Sequence, residues 1–360
     1  MDAKRLDSLL AAMHRVGATV LHLVPGRAPC VRVQRRFVQA DETVVEAQEL
    51  NELTRDMLFA DHRERLHRQG HVDVLYVSRN GRRYRVTVNE LDGNQSLLLR
   101  PVPENPPKLE QTELPEQITS FTHFRSGLVA VAGFFGSGKS TTLAAIVDAL
   151  NQNASRHIVT IEDAIEFLHP NGAALLHQRE IGSHVENCAE GIRQAVAAGA
   201  DTIVVSELVD AAGIDAALNA AEAGCLVFVG IEAGSVVGAM SELTLMVPFE
   251  ERGRLSARLA RCLRAVSAQN LLQRSHRAGR VAQVEILISN PAAREAIRLG
   301  NLRELPGIMQ RCRGLGMQTA DIALRDLLAR HAVTADEAML HAADRDQLTT
   351  RSRSGSSSPW

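Results

Sequence analysis

The sequence is poor in aromatic residues, in cysteine and in net charge. Only 3% of its 360 residues are Phe, Trp or Tyr, and its five cysteines are scattered without a C-x-x-C pair. An odd number of separated cysteines predicts reduced thiols, which excludes a disulfide framework and a cysteine zinc site. The formal net charge is −2, so no overall basic field favours nucleic acid. No apolar run is long enough for a transmembrane segment.

The first hundred residues predict a small α+β domain, residues 1–100. Apolar residues from Leu6 to Met13 recur at helical spacing, and "TVLHLV" and "CVRVQRRFV" each predict a strand. "VDVLYVSRNGRRYRVTV" predicts a hairpin that turns at Asn80-Gly81. The proline-rich stretch "PVPENPPKLEQTELPEQ" then predicts a stiff linker over residues 101–118.

Residues 119–345 predict an α/β nucleotide-binding domain with a helical C-terminal region. Short apolar runs alternate with helical patterns, as buried parallel strands and their connecting helices do. The predicted strands are 128–132, 157–162, 202–207 and 225–232. Beyond residue 250 we expect mostly helix, including one long amphipathic helix over 251–274. The low-complexity tail, residues 346–360, is predicted to be disordered.

The stretch Gly133–Ser140, "GFFGSGKS", fits the phosphate-binding pattern G-x-x-x-x-G-K-[ST]. It follows a predicted apolar strand and opens a predicted helix, which is the context that the pattern requires. The glycines let backbone N–H groups converge on phosphate, and the helix N-terminus favours the same anion. Lys139 would reach the β and γ phosphates, and Ser140 would ligate Mg²⁺. The predicted nucleotide contacts in this segment are Gly133, Gly136, Ser137, Gly138, Lys139, Ser140 and Thr141.

Hydrolysis also needs a carboxylate that supports the metal or orients water. Glu162 and Glu207 are candidates because each ends a predicted buried strand downstream of the loop. A surface acid that caps the next helix is the alternative for both residues. For Glu207 that alternative is weaker, because an acid in this position suits a Walker B role.

Several segments together resemble one known family. They are "GxxGSGKSTTLAA", "HIVTIEDAIEF", "HQRE", "AAEAGCLVF", "GRVAQVEIL" and "LGMQTADIAL". In order and spacing they resemble the type IV pilus retraction (twitching motility) ATPases, the PilT-type branch of the secretion ATPase superfamily. The resemblance extends over nearly the whole chain, including "GATVLHLVPG" and "RYRVTVN" near the N-terminus.

The resemblance implies a PAS-like N-terminal domain followed by a RecA-like ATPase domain. It implies ATP and Mg²⁺ as ligands, a cytoplasmic homo-hexamer, and work beside other pilus ATPases. The partner would be an inner-membrane pilus platform protein, at which the chain could lie peripherally. The composition, by itself, predicts no nucleic-acid partner, because the sequence is not strongly basic.

By position, the resemblance assigns roles to five residues. Glu162 would be the general base or the acid that positions water, and Glu207 would support Mg²⁺ together with Ser140. In the N-terminal domain, Arg83, Arg85 and Arg100 are candidate contacts to the γ-phosphate. A solvated face of the hairpin is the alternative explanation for these arginines.

The chain also departs from the family pattern at sites where hydrolysis is sensed. The loop carries Phe134-Phe135 in place of Pro-Thr, and "VAAGAD" replaces polar or special residues at 197–200. Val209 stands in place of an arginine, Glu232 in place of a histidine, and Glu242 in place of another arginine. The "AIRNLIRE" signature survives partly, through Arg294 and Arg298.

Two interpretations follow from these features. In the first, the chain is a motor ATPase that hydrolyses ATP, as Lys139, Glu162 and Glu207 favour. In the second, it is a catalytically weakened paralogue that binds ATP and regulates or joins a pilus ATPase ring. A carboxylate at Glu232 would repel phosphate where a histidine could donate a hydrogen bond, so turnover should suffer more than affinity. A nucleic-acid translocase is disfavoured because basic and aromatic residues do not interleave.

Overall fold

The computed structural model describes residues 3–33, 36–91, 93–103, 105–153, 155–276 and 279–342. The chain divides into two compact units. Unit 1 comprises residues 1–105 and 166–168, and unit 2 comprises residues 106–165 and 169–360. The predicted tail, residues 346–360, lies outside the described residues.

Unit 1 is an antiparallel sheet covered by helices. Its elements are α1 Ala3–Arg15, β1 Val20–Leu23, β2 Cys30–Val33, β3 Arg36–Gln39, α2 Ala47–Met57, α3 Ala60–Gln69, β4 His71–Val77, β5 Arg83–Leu91 and β6 Asn94–Pro101. Within the described residues the sheet has six strands in the order β3-β2-β1-β6-β5-β4. The predicted apolar stripe of α1 is confirmed, since Leu6, Leu10 and Met13 are buried in its core.

Two turns in unit 1 bear on the predictions. The predicted hairpin is confirmed: β4 and β5 pair antiparallel, and Gly81 adopts a left-handed φ of 81° in the turn. The prediction of one strand over "CVRVQRRFV" is wrong, because β2 and β3 are two antiparallel strands with Val33 opposite Arg36. The reversal puts β3 at the sheet edge, where its side chains are exposed rather than alternately buried.

Unit 2 is built on a mostly parallel sheet with helices on its faces. Its elements are α4 Glu116–Ser120, β7 Gly127–Ala132, α5 Lys139–Asn153, β8 His157–Glu162, β9 Leu175–Glu180, α6 Cys188–Ala197, β10 Thr202–Val205, α7 Ala211–Glu222, β11 Leu226–Ile231, α8 Val236–Leu245, α9 Arg252–Cys262, β12 Leu263–Gln273, β13 Arg280–Ile288, α10 Pro291–Arg298, α11 Leu305–Arg311, α12 Ala320–Ala329 and α13 Ala335–His341. Short 3₁₀ segments lie at Leu109–Gln111, Phe121–His123, Phe249–Glu251, Leu302–Glu304 and Arg313–Leu315. The predicted linker therefore contains the end of β6, one of these 3₁₀ turns and the start of α4.

The sheet of unit 2 runs in the order β13-β12-β7-β11-β10-β8-β9 among the described strands. Its recorded pairings are parallel except that of β12 with β13. The four predicted strands are confirmed, and β7, β10 and β11 are buried along their whole length. Sequence reasoning missed β9, whose half-exposed polar residues "HQRE" suit an edge strand. No helix of the described residues is long and apolar enough to cross a membrane.

The predicted long helix over 251–274 is wrong in its second half. The helix α9 ends at Cys262, and the chain continues as β12, inserted between β7 and β13. Seven of the eleven residues of β12 are buried, and adjacent residues pack into two different hydrophobic clusters, Ala265 into one and Val266 into the other. An apolar run that is buried on both faces shows no period, so the pattern alone could not separate strand from helix.

Candidate nucleotide site

The phosphate loop joins the end of β7 to the start of α5. Gly136 and Gly138 have left-handed φ angles of 78° and 92°, which only glycine adopts without strain. A side chain on Gly133 would collide with Ser137 Oγ, so this glycine keeps the loop closed. The four predicted loop residues from 133 to 138 and the following Lys139, Ser140 and Thr141 therefore form one continuous turn into the 15-residue helix α5.

The loop fits a phosphate ligand. The hydroxyl of Ser137 is buried and has no hydrogen-bond partner within the described residues. A buried hydroxyl without an acceptor is energetically unfavourable, and a phosphate oxygen would supply one. The N-terminus of α5 starts at Lys139, beside this hydroxyl, and its dipole favours an anion there.

A buried glutamine on β12 braces the loop, and sequence reasoning missed it. Gln269 is 2% exposed; its amide donates to the Ser137 carbonyl at 2.8 Å and accepts from Thr142 Oγ1 at 2.9 Å. Arg280 of β13 adds a third contact by donating to the Gly136 carbonyl at 3.1 Å. The signal in the sequence is that Gln269 is one of three polar residues in the run "AVSAQNLL", which the pattern assigns to a helix.

Lys139 and Glu207 meet at the carboxyl edge of the sheet. Lys139 is only 9% exposed, and its Nζ lies 3.7 Å from Glu207 Oε2. Glu207 follows β10, which ends at Val205, and the loop follows β7. Both therefore lie at the carboxyl edge of the same sheet. The structure therefore brings together the predicted lysine and one of the two predicted acids. Magnesium sites that use phosphate oxygens need only one or two carboxylates, and Glu207 would supply one beside the hydroxyl of Ser140.

Glu162 ends β8, farther along the same edge. Three strand spacings separate β8 from β7, which is about 14 Å. Thr160 Oγ1 and Gln178 Nε2 donate to Glu162 Oε1 at 2.6 Å and 3.1 Å. These two contacts fix the orientation of the carboxylate on the edge that also carries Glu207 and the loop.

The three candidate arginines lie on adjacent strands of unit 1. Arg85 of β5 is directly opposite Arg100 of β6, and Arg83 is exposed two residues earlier on the same face. Arg85 is committed to Asp73 at 2.8 Å, with Glu166 at 3.7 Å. Burial alone would raise the pKa of the Asp73 carboxyl, but the Thr87 hydroxyl, Arg85 and Arg100 outweigh it and lower that pKa.

The positions where the chain departs from the family pattern are mostly at the surface. Val209 is 67% exposed, and Glu232 and Glu242 are exposed. In the segment 197–200, Gly199 has a φ of 74° and ends α6 in a left-handed cap. These replacements therefore fit the fold locally, without disturbing its core.

The two phenylalanines of the loop have different surroundings. Phe135 is 93% exposed, whereas the ring of Phe134 lies so close to Gly234 that a Cβ there would be 2.7 Å from it. Neither ring contributes to the glycine turns or to the contacts with Gln269. Among the described residues, no group of three or more His, Cys, Asp or Glu side chains is arranged to hold a metal by itself.

The chain is similar over most of its length to proteins of known class. A "Twitching motility protein" of Neisseria gonorrhoeae is 31% identical over 89% of this chain and 86% of its own. A "Type IV pilus retractation ATPase PilT" of Pseudomonas aeruginosa is 32% identical over 92% of this chain and 96% of its own. The crystal structure of the pilus retraction motor PilT with bound ADP superposes with a TM-score of 0.86 at 30% identity. It covers 94% of this chain and 97% of that one.

The family model described as "Type II/IV secretion system protein" matches residues 104–340. That range contains the phosphate loop, both predicted acids and the brace from β12. Together with the relatives' coverage of both units, it confirms the resemblance drawn from the sequence motifs. The chain therefore belongs to the type II/IV secretion system protein family, in its PilT-type branch.

Proposed function

We propose that the chain is a P-loop ATPase that converts ATP and water to ADP and phosphate at residues 133–140. The observation that carries this proposal is the ion pair between Lys139 and Glu207, 3.7 Å apart. It joins the cation that would meet the phosphates to the acid that would support Mg²⁺. A glycine-rich turn with an ordinary surface lysine would not bury that lysine beside a strand-end carboxylate.

Each retained residue has a distinct part in this reaction. The loop N–H groups and Lys139 bind the phosphates, and Glu207 and Ser140 are the residues that would hold the metal. Mg²⁺, when bound, would neutralise charge that develops on the transferred phosphoryl group. Glu162, oriented by Thr160 and Gln178, positions the attacking water. Gly133, Gly136, Ser137, Gly138 and Thr141 complete the predicted nucleotide contacts.

The arginines of unit 1 supply positive charge toward the γ-phosphate in this proposal. Arg83 and Arg100 are exposed, so both can turn toward an anion at little cost. Arg85 would first have to exchange its contacts with Asp73 and Glu166. We therefore assign the phosphate contact first to Arg83 and Arg100.

The motor function is favoured over the regulatory alternative. One similar protein is named for twitching motility and another as a pilus retraction ATPase. Lys139 begins α5, Glu162 ends β8 and Glu207 follows β10. The proposed hydrolysis requires these three residues. We propose a cytoplasmic homo-hexamer that works beside other pilus ATPases. The ring would act on an inner-membrane platform protein, with peripheral association at that membrane.

Phosphate release by the purified full-length chain with Mg²⁺ and ATP tests this proposal. The variant K139A serves as the control that lacks the phosphate contact. We expect turnover in the wild type and none above background in K139A. Wild-type turnover equal to that of K139A would contradict the motor, whereas failure to bind a fluorescent ATP analogue would contradict both interpretations. Light scattering with and without nucleotide checks the ring, and a monomer in both conditions would contradict it.

A further inference from the structure

A cleft of 880 Å³ in unit 2 lies away from the phosphate loop and gathers arginines. It is lined by α9 and α10, which pack against each other, and by the end of α7. Five arginines line it against two glutamates, in a chain whose formal net charge is −2. The arginines are Arg254, Arg258, Arg261, Arg294 and Arg298.

Helical spacing arranges these arginines in two facing stripes. Arg254, Arg258 and Arg261 recur at intervals of four and three on α9, which puts them on one face. Arg294 and Arg298 are four apart on α10. At a rise of 1.5 Å per residue, the stripe on α9 is about 10 Å long. That length exceeds a single small anion and suits consecutive acidic residues of a chain.

Part of this positive charge is already compensated within the protein. Arg258 is buried and donates to Asp215 at 2.6 Å and to Glu222 at 2.9 Å, which ties α9 to α7. Arg261 shares Glu222 at 2.9 Å. The hydrogen bond from Arg258 is the largest of the effects that lower the pKa of Glu222, so this acid stays ionised at neutral pH. The buried arginine is therefore a structural support of the cleft.

Two arginines on opposite walls remain uncompensated. Arg254 and Arg294 are exposed, and neither side chain makes an ion pair or hydrogen bond to any residue that the structure describes. Arg298, on the same wall as Arg294, is held by Glu295 at 2.6 Å. Because Arg254 and Arg294 line one cleft, their fields add there, and an anionic group between them would meet both.

The lining also has an apolar component. Ala257 and Ala260 of α9 and Pro291 at the start of α10 lie between the arginines. A nucleic-acid backbone or a free phosphate has no apolar surface to bury on them. A protein segment that alternates acidic and apolar side chains would match both the charges and the apolar lining.

We propose that this cleft is a docking site for an acidic segment of a partner protein, held by Arg254 and Arg294. The proposal goes beyond nucleotide hydrolysis, because the cleft contains no residue of the phosphate site. It gives the chain a surface to which a protein with an acidic segment can attach.

Fluorescence anisotropy with a labelled peptide of Glu-Glu-Leu repeats tests the proposal on the full-length chain. We expect binding that weakens at least about tenfold when ionic strength rises from about 0.05 to about 0.3 M. The double variant R254E/R294E should weaken binding at low salt by at least about tenfold. Binding without salt dependence, or unchanged in R254E/R294E, would overturn the proposal.

A matched variant controls for total charge. Arg325 and Arg330 are exposed on and just after α12, and their Nε atoms donate only to backbone carbonyls of Asp321 and Asp326. The variant R325E/R330E makes the same charge change and should alter peptide affinity by less than about twofold. An equal loss of peptide affinity in both double variants would contradict a site localised at this cleft. Should R254E/R294E lose its fold, as thermal unfolding would reveal, the neutral R254Q/R294Q takes its place.

An anionic membrane surface is the competing partner, and a vesicle experiment distinguishes it from an acidic protein segment. Vesicles of phosphatidylcholine with phosphatidylglycerol are sedimented with the wild type and with R254E/R294E. Peptide binding that depends on Arg254 and Arg294, with no such dependence for vesicles, supports the proposal. Vesicle binding that depends on these arginines, without peptide binding, would overturn it in favour of lipid.

Discussion

The phosphate loop and the positions that depart from the family pattern contrast in burial. Ser137, Lys139 and Gln269 are 5%, 9% and 2% exposed, and the loop is braced from two other strands. Val209 is 67% exposed, and Glu232 is exposed as well. A residue inside a braced loop cannot change without disturbing the fold, whereas an exposed one can. The contrast teaches that nucleotide binding is constrained by packing here, while the response to hydrolysis is free to vary.

The largest effect should come from E207Q. It removes the charge that would support the metal in the proposed site, and lost electrostatic stabilisation of this kind lowers turnover by about 100-fold. Affinity for the ATP analogue should stay within about threefold of wild type, because Lys139 loses only its carboxylate partner. Steady-state phosphate release and analogue titration measure the two effects.

E232Q is the matched control for E207Q, since Glu232 also follows a strand of the same edge but is exposed. Its turnover should stay at the wild-type level or rise by up to about threefold, because the change removes a carboxylate that repels phosphate. If E207Q and E232Q change turnover alike, the contrast between the phosphate site and the positions that depart from the family pattern is wrong.

Removal of the brace should have the next largest effect. Q269L leaves the Ser137 carbonyl and the Thr142 hydroxyl without their partner in a buried place. A loss of about 1.4 kcal/mol corresponds to about tenfold weaker nucleotide binding. Analogue titration measures the affinity, and thermal unfolding measures the accompanying loss of stability.

Q283L separates a specific brace from general packing. Gln283 is also 2% exposed, on β13, but it donates to the Ala320 carbonyl at 3.3 Å, away from the loop. It should lower stability to a similar degree and leave nucleotide affinity within about twofold of wild type. If both variants lose nucleotide affinity, Gln269 acts through general packing and not as a specific support of the loop.

A smaller effect, in the opposite direction, is expected from E232H. A histidine can donate a hydrogen bond to a phosphate oxygen, while the carboxylate repels it. Turnover should rise by about three- to tenfold with little change in affinity. An unchanged kcat would mean that Glu232 does not limit hydrolysis in this chain.

The smallest effect belongs to F135A. The side chain is 93% exposed, so its loss removes no packing from the phosphate loop. Nucleotide affinity and turnover should both stay within about twofold of wild type. A loss of tenfold or more would place Phe135 in contact with nucleotide or a neighbouring subunit.

Much of the site could be predicted because its chemistry is local. The glycines and Lys139 lie within eight residues of each other. Glu162 and Glu207 each come at the end of an apolar run that predicts a buried strand. These residues can be identified without knowing which distant residues they contact. The loop, its flanking strand and its helix therefore emerged from the pattern of the sequence alone.

The brace could not be predicted because it depends on a strand whose pattern is ambiguous. Side chains on both faces of β12 are buried, so they do not alternate in polarity, and the strand follows α9 without an intervening loop. Once Leu263–Gln273 is assigned to a helix, Gln269 has no reason to meet the loop. The ion pairs of Arg258 with Asp215 and Glu222 could not be predicted either, because they join helices that are distant in sequence.

The brace also imposes an order in time. Gln269 lies 132 residues after Ser137, so a ribosome needs roughly 7 to 26 s to deliver it after the loop. During synthesis the glycine turns exist before the side chain that fixes them. A nascent chain can therefore complete its nucleotide site only after β12 has emerged and inserted beside β7, late in translation.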